Sequence, residues 1–168
     1  TYTGGTTVSA GTKIGGEEID KMMLLEQIDP VASGATLWVD RSDDGALTNA
    51  LTLNGGTLRG TNGFGQYWDG NITLGAHSTI KAANNFYIDG VISGSSKNLT
   101  KTGTGTVILR GTNTYSGTTT ISAGTISISA DSGLGSAPGS ASAGHLTLNG
   151  GTLHSSADFT LNSNRGIA

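Results

Sequence analysis

The sequence predicts an all-β fold in which short strands stack as a parallel β-solenoid. The stretch YTGGTTVSAGT at 2–12 returns as YSGTTTISAGT at 115–125, and the octapeptide LTLNGGTL occurs unchanged at 51–58 and 146–153. Glycine makes up 28 of the 168 residues, and only 12% of residues are charged. Short alternating runs of Val, Ile, Leu and Thr lie between turns rich in Gly, Asn and Ser. Internal repeats of short strands and tight turns are typical of solenoids.

The two copies of these blocks are unequally spaced. The first copy carries extra residues between its blocks, and they fall within 13–50. We therefore predict a single domain of two unequal repeat units, about 1–113 and 114–168, with an insertion in 13–50. Identical blocks are expected to occupy equivalent positions in the coil. The side chains expected to point inward are the leucines of the two octapeptides: Leu51, Leu53 and Leu58, with Leu146, Leu148 and Leu153.

One short helix is predicted inside the insertion, over 17–28. Two glutamates lie in its first turn, and Asp29-Pro30 ends it. Its apolar side chains fall on two sides at helical spacing: Ile19, Met22 and Met23 on one side, and Leu24, Leu25 and Ile28 on the other. A helix that is apolar on two sides is expected to be buried on both.

Alternation of apolar and polar residues predicts the strands. A strand is predicted at 36–39, and residues 131–144 are predicted to form a loop of small residues. From residue 51 onward, strands are predicted around Leu51/Leu53, Ile72/Leu74, Phe86/Ile88, Val91/Ile92, Val107/Leu109, Ile121, Ile126/Ile128, Leu146/Leu148 and Phe159/Leu161.

Two adjoining stretches carry a resemblance to a known family. Residues 98–109 read NLTKTGTGTVIL and residues 111–121 read GTNTYSGTTTI. They resemble the passenger-associated repeat of bacterial autotransporters, and the octapeptides are similar to that family's recurring LxLNGGTL. The resemblance implies a right-handed parallel β-helix that forms a stalk on a large secreted or surface protein. It also implies a location outside the cell or on the bacterial surface. The insertion at 13–50 departs from the family pattern.

Composition limits the partners of the chain. The net charge is −3, so no basic patch is predicted for nucleic acid. The absence of cysteine excludes disulfides and thiolate chemistry. No apolar run is long enough for a membrane-spanning helix. We expect no nucleic-acid partner and no membrane insertion.

Few residues suggest metal binding or catalysis. Residues 40–45, DRSDDG, open like a calcium loop, but Leu51 stands where the last carboxylate ligand belongs, which favours a solvated turn. An acid pair for glycoside hydrolysis could come only from Asp40, Asp43, Asp44 and Asp69. We expect no metal, no cofactor and no enzymatic activity. A β-helical polysaccharide-degrading enzyme remains the minor alternative.

Three of the few aromatic residues lie close together: Phe64, Tyr67 and Trp68. Exposed aromatic rings can stack on sugars, so these residues are a candidate carbohydrate contact. Packing of the rings in the core is the simpler interpretation, because large rings bury much area.

The predicted function is that of a structural or adhesive segment of a secreted or surface protein. Because the chain begins and ends inside a repeat unit, we expect subunits to join head to tail, with the two-sided helix at the junction. Two other interpretations remain: the helix caps the solenoid within one molecule, or longer native flanks have been removed. The functional alternative is a carbohydrate-binding module.

Overall fold

The structure, a computed structural model, describes residues 13–15, 30–40, 46–61 and 65–168. The described residues form eighteen short strands and one 3₁₀ helix, which spans Asp131–Leu134. The strands are β1 (Lys13–Gly15), β2 (Val31–Ala32), β3 (Thr36–Asp40), β4 (Ala46–Leu47), β5 (Leu51–Asn54), β6 (Thr57–Gly60), β7 (Gln66–Trp68), β8 (Ile72–Ala76), β9 (Ser78–Ala82), β10 (Phe86–Ile88), β11 (Ile92–Ser93), β12 (Leu99–Thr102), β13 (Thr106–Leu109), β14 (Thr119–Ile121), β15 (Thr125–Ile128), β16 (Ser142–Leu148), β17 (Thr152–Ser155) and β18 (Arg165–Ile167).

These strands form three parallel sheets, and the chain visits the sheets in rotation. The eight-stranded sheet has the order β1-β3-β6-β9-β12-β14-β16-β18, the six-stranded sheet β17-β15-β13-β10-β7-β4, and the four-stranded sheet β11-β8-β5-β2. Each full turn runs from the four-stranded to the eight-stranded to the six-stranded sheet. The result is a parallel β-solenoid of about six turns, which confirms the predicted fold class.

Register between turns is regular over most of the column. Partner residues lie 20 to 22 positions apart, as in Thr36↔Thr57, Thr57↔Thr79 and Ile72↔Ile92. The separation grows to 27 at Ile121↔Leu148, because the turn between β14 and β16 also accommodates the 3₁₀ helix and the loop after it. Inward positions therefore stack on inward positions, since strand side chains alternate between faces.

The core is the column of inward side chains from the three sheets. Its larger fully buried members are Leu37, Leu51, Leu53, Leu58, Trp68, Ile72, Leu74, Ile80, Phe86 and Ile88. β-branched and aromatic residues fit these pleated surfaces well. Burial of this column supplies the main stabilising free energy of a solenoid, because each turn covers its neighbour.

Side chains replace the four-stranded sheet beyond β11. Asn113 accepts a hydrogen bond from the Ile92 amide at 2.8 Å, and its own amide donates to the Gly133 carbonyl at 2.8 Å. Tyr115 is fully buried and its hydroxyl lies 2.8 Å from that of Thr119. The Asn-Thr-Tyr of the repeat pattern thus bridges successive turns where no strand is present.

The octapeptides do not occupy equivalent positions, so this prediction is wrong. Leu51–Asn54 lies in the four-stranded sheet and is followed by Thr57–Gly60 in the eight-stranded sheet. The second copy is shifted by one face: β16 lies in the eight-stranded sheet and β17 in the six-stranded sheet. Every face needs the same strand, corner and strand, so one sequence suits more than one pair of faces.

Burial of the matched leucines differs accordingly. Leu51 and Leu146 are both buried, as expected. Leu53 is fully buried, but Leu148 is 39% exposed, and Leu58 is buried while Leu153 is only partly buried. The division into two repeat units at about 113/114 stays a prediction.

Two further predictions concern local structure. The predicted helix at 17–28, with all six of its apolar residues, lies outside the described residues. The strand predicted around Phe159 and Leu161 is wrong. No strand forms there, and both side chains pack against the core from an irregular segment.

The two central leucines of the octapeptides give a test of their environments. We expect Leu53→Ala to lower the free energy of unfolding by about 2–5 kcal/mol, because it empties a filled core site. Leu148→Ala should cost on the order of 1 kcal/mol or less, because its side chain already contacts water. Urea unfolding followed by circular dichroism measures both. Equal costs would show that the two leucines share one environment.

Candidate functional site

The aromatic residues chosen from the sequence separate onto two faces of β7. Trp68 points inward and is fully buried, so it is not a surface contact. Tyr67 points outward and is half-buried, while Phe64 lies outside the described residues. Alternation within the strand explains the separation, because adjacent side chains face opposite ways. Of the two that the structure describes, Tyr67 remains a candidate for a ligand contact.

An outward ladder continues from Tyr67 onto the neighbouring turns. Its ring stacks on Tyr87 with centroids 4.5 Å apart and planes 8° apart, because the two residues are in register. The Arg110 guanidinium lies 4.6 Å from the Tyr87 ring centroid and forms a 3.3 Å ion pair with Asp89. The Tyr87 ring is thus covered on both faces. We call Tyr67, Tyr87, Asp89 and Arg110 the tyrosine ladder.

Beside the ladder is a polar groove of about 440 Å³. It lies at the corner where the chain passes from the eight-stranded to the six-stranded sheet, and we call it the corner groove. Three successive turns line it, with Gly65 from one, residues 83–85 from the next and residues 104–106 from the third. A Cβ at Gly65 would lie 2.7 Å from Cε2 of Tyr87, so the absence of a side chain at this glycine lets the Tyr87 ring pack beside the groove.

Polar side chains in the corner groove form no hydrogen bonds within the described part of the chain. They are the exposed Asn84, Asn85 and Thr104 and the half-buried Thr106. Part of their backbone is fixed by neighbouring turns, since the Asn84 carbonyl accepts from the Thr106 amide and the Asn85 carbonyl from the Gln66 amide. The groove therefore combines fixed backbone with available side-chain donors and acceptors.

The other two corners use comparable side chains to join turns. Asn71 accepts from the Val91 amide at 3.0 Å, and Asn98 accepts from the Thr118 amide at 3.0 Å. His77 accepts from the Asn98 amide, and Ser116 accepts from the Ser96 amide. These four side chains are occupied in the scaffold, unlike the polar side chains that line the corner groove.

Metal and membrane sites are not apparent in the described ranges. No group of three or more His, Asp or Glu side chains in them could share a metal ion. No helix among them is long and apolar enough to cross a membrane. Of the acidic candidates, Asp69 is exposed, the Asp40 side chain is not described, and Asp43 and Asp44 lie outside the described residues.

Comparison with known proteins relates this geometry to a family. The family model described as passenger-associated-transport-repeat matches residues 1–12 and 99–128. The chain therefore carries the repeat of autotransporter passengers. The adhesin BmaC autotransporter of Brucella suis biovar 1 (strain 1330) is 36% identical over 118 residues, which are 70% of this chain and 3% of that protein. The chain thus corresponds to a small part of the curated relative. No solved structure matches it.

The passenger repeat locates the chain. Autotransporter passenger repeats lie outside the cell or on its surface, which confirms the expected location. The matched segment 99–128 covers β12 to β15, so the passenger repeat supplies one wall of the corner groove, residues 104–106.

A buried lysine of the passenger repeat lies behind that wall. Lys101 is 1% exposed and occupies the inward column between Ile80 and Ile121. Its ammonium donates to the carbonyls of Thr102 at 2.8 Å, Gly103 at 2.8 Å and Ala123 at 3.1 Å. These bonds fix the corner immediately before the groove. Alternation with Leu99 could have identified this inward lysine from the sequence.

Burial lowers the pKa of Lys101 from 10.5 to about 8. Between about pH 8 and pH 10.5, Lys101 keeps its proton in the unfolded chain and has released it in the folded chain. The free energy of unfolding therefore rises with pH over this range. From pH 7.5 to 9.5 we expect the unfolding free energy to increase by up to about 2 kcal/mol. Lys101→Met should abolish this increase, whereas the exposed Lys81→Met should retain it. Urea unfolding at both pH values decides, and the same pH dependence in all three proteins would contradict the assignment.

Another buried cation secures the last turn of the column, beyond the matched repeat. The Arg165 side chain is fully buried, and its Nε lies 3.0 Å from Asp131 Oδ1. Its two Nη atoms donate to the carbonyls of Leu134 at 3.0 Å and Gly135 at 2.9 Å. Arg165 Nη1 also lies 3.1 Å from Nδ1 of the buried His145. Because arginine only donates, Nδ1 accepts and the imidazole is neutral.

The environment shifts both titrating partners of Arg165. Burial lowers the pKa of His145, and the Arg165 charge lowers it further, against the opposing effect of Asp131. Burial opposes the charge on Asp131, but hydrogen bonds from Arg165 and the Asn162 amide, together with nearby positive charge, hold the pKa of that carboxyl below its ordinary value. Both shifts favour the neutral imidazole and the ionised carboxylate that the geometry requires.

Acid should therefore loosen this cluster in a defined order. Below about pH 6.5 the unfolded chain binds a proton at His145 that the folded chain resists, so stability falls by up to about 1.4 kcal/mol per pH unit. The Asp131 contribution is lost only below about pH 4. His145→Asn should remove the loss between pH 6.5 and 5, and the exposed His154→Asn should not. Thermal unfolding across this range measures it, and an unchanged profile in His145→Asn would refute the role of His145.

Proposed function

We propose that this chain is an adhesive segment of a surface-exposed passenger, a rigid solenoid that holds a ligand-contacting corner away from the cell. The observation that carries the proposal is the 36% identity to part of an adhesin autotransporter, together with a stacked fold that is itself an extended support. The unoccupied polar side chains of the corner groove give such a segment a surface with which to contact ligands.

Adhesion is tested with beads coated with the 168-residue chain and presented to cultured mammalian cells. We expect more beads to adhere than with an albumin coating. Chain unfolded by heat before coating should not raise adherence, because the corner exists only in the stacked fold. Adherence no greater than that of albumin would reject the adhesive function.

Self-association through the head-to-tail contact expected from the sequence is the second candidate. Ile167 on the edge strand β18 is 57% exposed, and Leu148 on the neighbouring strand is 39% exposed. Edge strands present unpaired amides and carbonyls to which another chain can add. A head-to-tail contact would pair this edge with the first turn of a second copy, near the apolar helix predicted over 17–28.

Sedimentation at high concentration tests this contact. We expect assemblies larger than a monomer, and Ile167→Asp should return them to monomers, because a carboxylate would be buried without a partner. Thr73→Asp, on the solvent face of the four-stranded sheet, adds the same charge away from the ends. Met23→Asp with Leu25→Asp tests the predicted helix. A wild-type chain that stays monomeric removes the proposal.

A further inference from the structure

We propose that the corner groove is a carbohydrate-binding site that takes a short oligosaccharide along the solenoid axis. The inference rests on the proposed adhesive function and names the ligand class and the site that would serve it. It moves the contact away from Trp68, which is in the core, to side chains of the corner itself.

Alignment of the groove with the axis follows from register. Gln66, Phe86 and Val107 are paired across three turns, so the residues preceding them, Gly65, Asn85 and Thr106, form one row. Adjacent strands are about 4.8 Å apart, so the row spans roughly 10 Å. A linear chain of sugar rings can run along such a row and meet equivalent positions in turn.

The chemistry of the groove suits sugar hydroxyls. Asn84 and Asn85 each offer an amide that donates and accepts, and Thr104 and Thr106 each offer a hydroxyl. None of these side chains is engaged elsewhere among the described residues, so binding breaks no internal hydrogen bond. Hydroxyl groups, which both donate and accept, complement these side chains better than a ligand that only accepts.

Charge and shape argue against other classes of partner. Arg110, the cation of the tyrosine ladder, is already paired with Asp89, and the chain carries a net charge of −3, which disfavours polyanions. The described residues that line the groove include no large apolar side chain, whereas protein interfaces depend on buried aromatic or aliphatic anchors.

The tyrosine ladder lies outside the lining of the groove and supports it at one end. The Tyr87 ring packs against Gly65, the groove residue of the first turn, and is itself held by the stack on Tyr67 and by the Arg110 guanidinium. Lys101 fixes the corner from behind through three carbonyls. A preformed groove of this kind loses little conformational entropy on binding.

Binding is tested with soluble chitotetraose, lacto-N-neotetraose and maltotetraose, by saturation-transfer NMR and titration of amide shifts. We expect at least one to bind the wild-type chain and to perturb residues 83–85 and 104–106. The triple variant Asn84→Ala/Asn85→Ala/Thr104→Ala should weaken binding by roughly tenfold or more, since it removes several hydrogen bonds. The matched control is Thr73→Ala/Ser95→Ala, which truncates exposed side chains on other parts of the surface.

The outcomes separate this site from the adhesive function. A triple variant that unfolds like wild type and binds no probe supports the groove. Wild-type chain that binds none of the three probes at about 5 mM, or a triple variant that binds as well as wild type, overturns it. Beads coated with the triple variant provide the second comparison. If they adhere as well as wild-type beads, the adhesive function stands and the role of the groove in adhesion is rejected.

Discussion

Stacking between turns is the constraint on which the rest of this molecule depends. Every strand inside a sheet pairs in parallel with the turn before and the turn after it, at separations of about twenty residues along most of the column. An inward side chain must therefore fit beneath and above its counterparts, and a corner must close without leaving buried backbone groups unpaired. Lys101 shows how strict this is. A cation is accommodated in the inward column because its ammonium reaches three corner carbonyls. Arg165 meets the same requirement at the last turn.

Stacking between turns also distinguishes the three corners. At two of them polar side chains bond the next turn, and at the third they are available to a ligand. Where Asn71 and Asn98 bond the backbone of the next turn, their side chains are no longer available to a ligand. At the third corner Lys101 bonds the carbonyls from inside the column, and the side chains of Asn84 and Asn85 form no hydrogen bond among the described residues. Unused polar groups add little stability at a solvated surface, so these positions can vary with little effect on the fold. Such positions are where a scaffold can acquire binding.

The sequence predicts the strands, because alternation of apolar and polar residues determines them. It does not predict which sheet a strand joins, because that depends on the register between turns. Strands at 72–76, 86–88, 106–109 and 125–128 follow from alternating apolar residues. Alternation alone also places Tyr67 and Trp68 on opposite faces. It cannot say which face of the solenoid a strand joins, because all three sheets require the same pattern. That is why identical octapeptides were assigned to one position and lie on different faces. The 3₁₀ helix and the long turn between β14 and β16 place the second octapeptide one face later than the first, and this depends on packing between distant residues.

The candidate site depends even more on three-dimensional context. Asn84, Asn85 and Thr104 are ordinary turn residues in the sequence, and only the neighbouring turns bring them to one groove. An open groove of small polar side chains excludes little water, so each contact contributes modestly to affinity. A rigid column offsets this weakness, because it holds successive contacts at fixed spacing. Engagement of one sugar then raises the effective concentration of the next site for the same glycan. For a surface protein, strength of attachment can therefore come from repetition along the solenoid, without a deep pocket in any single turn.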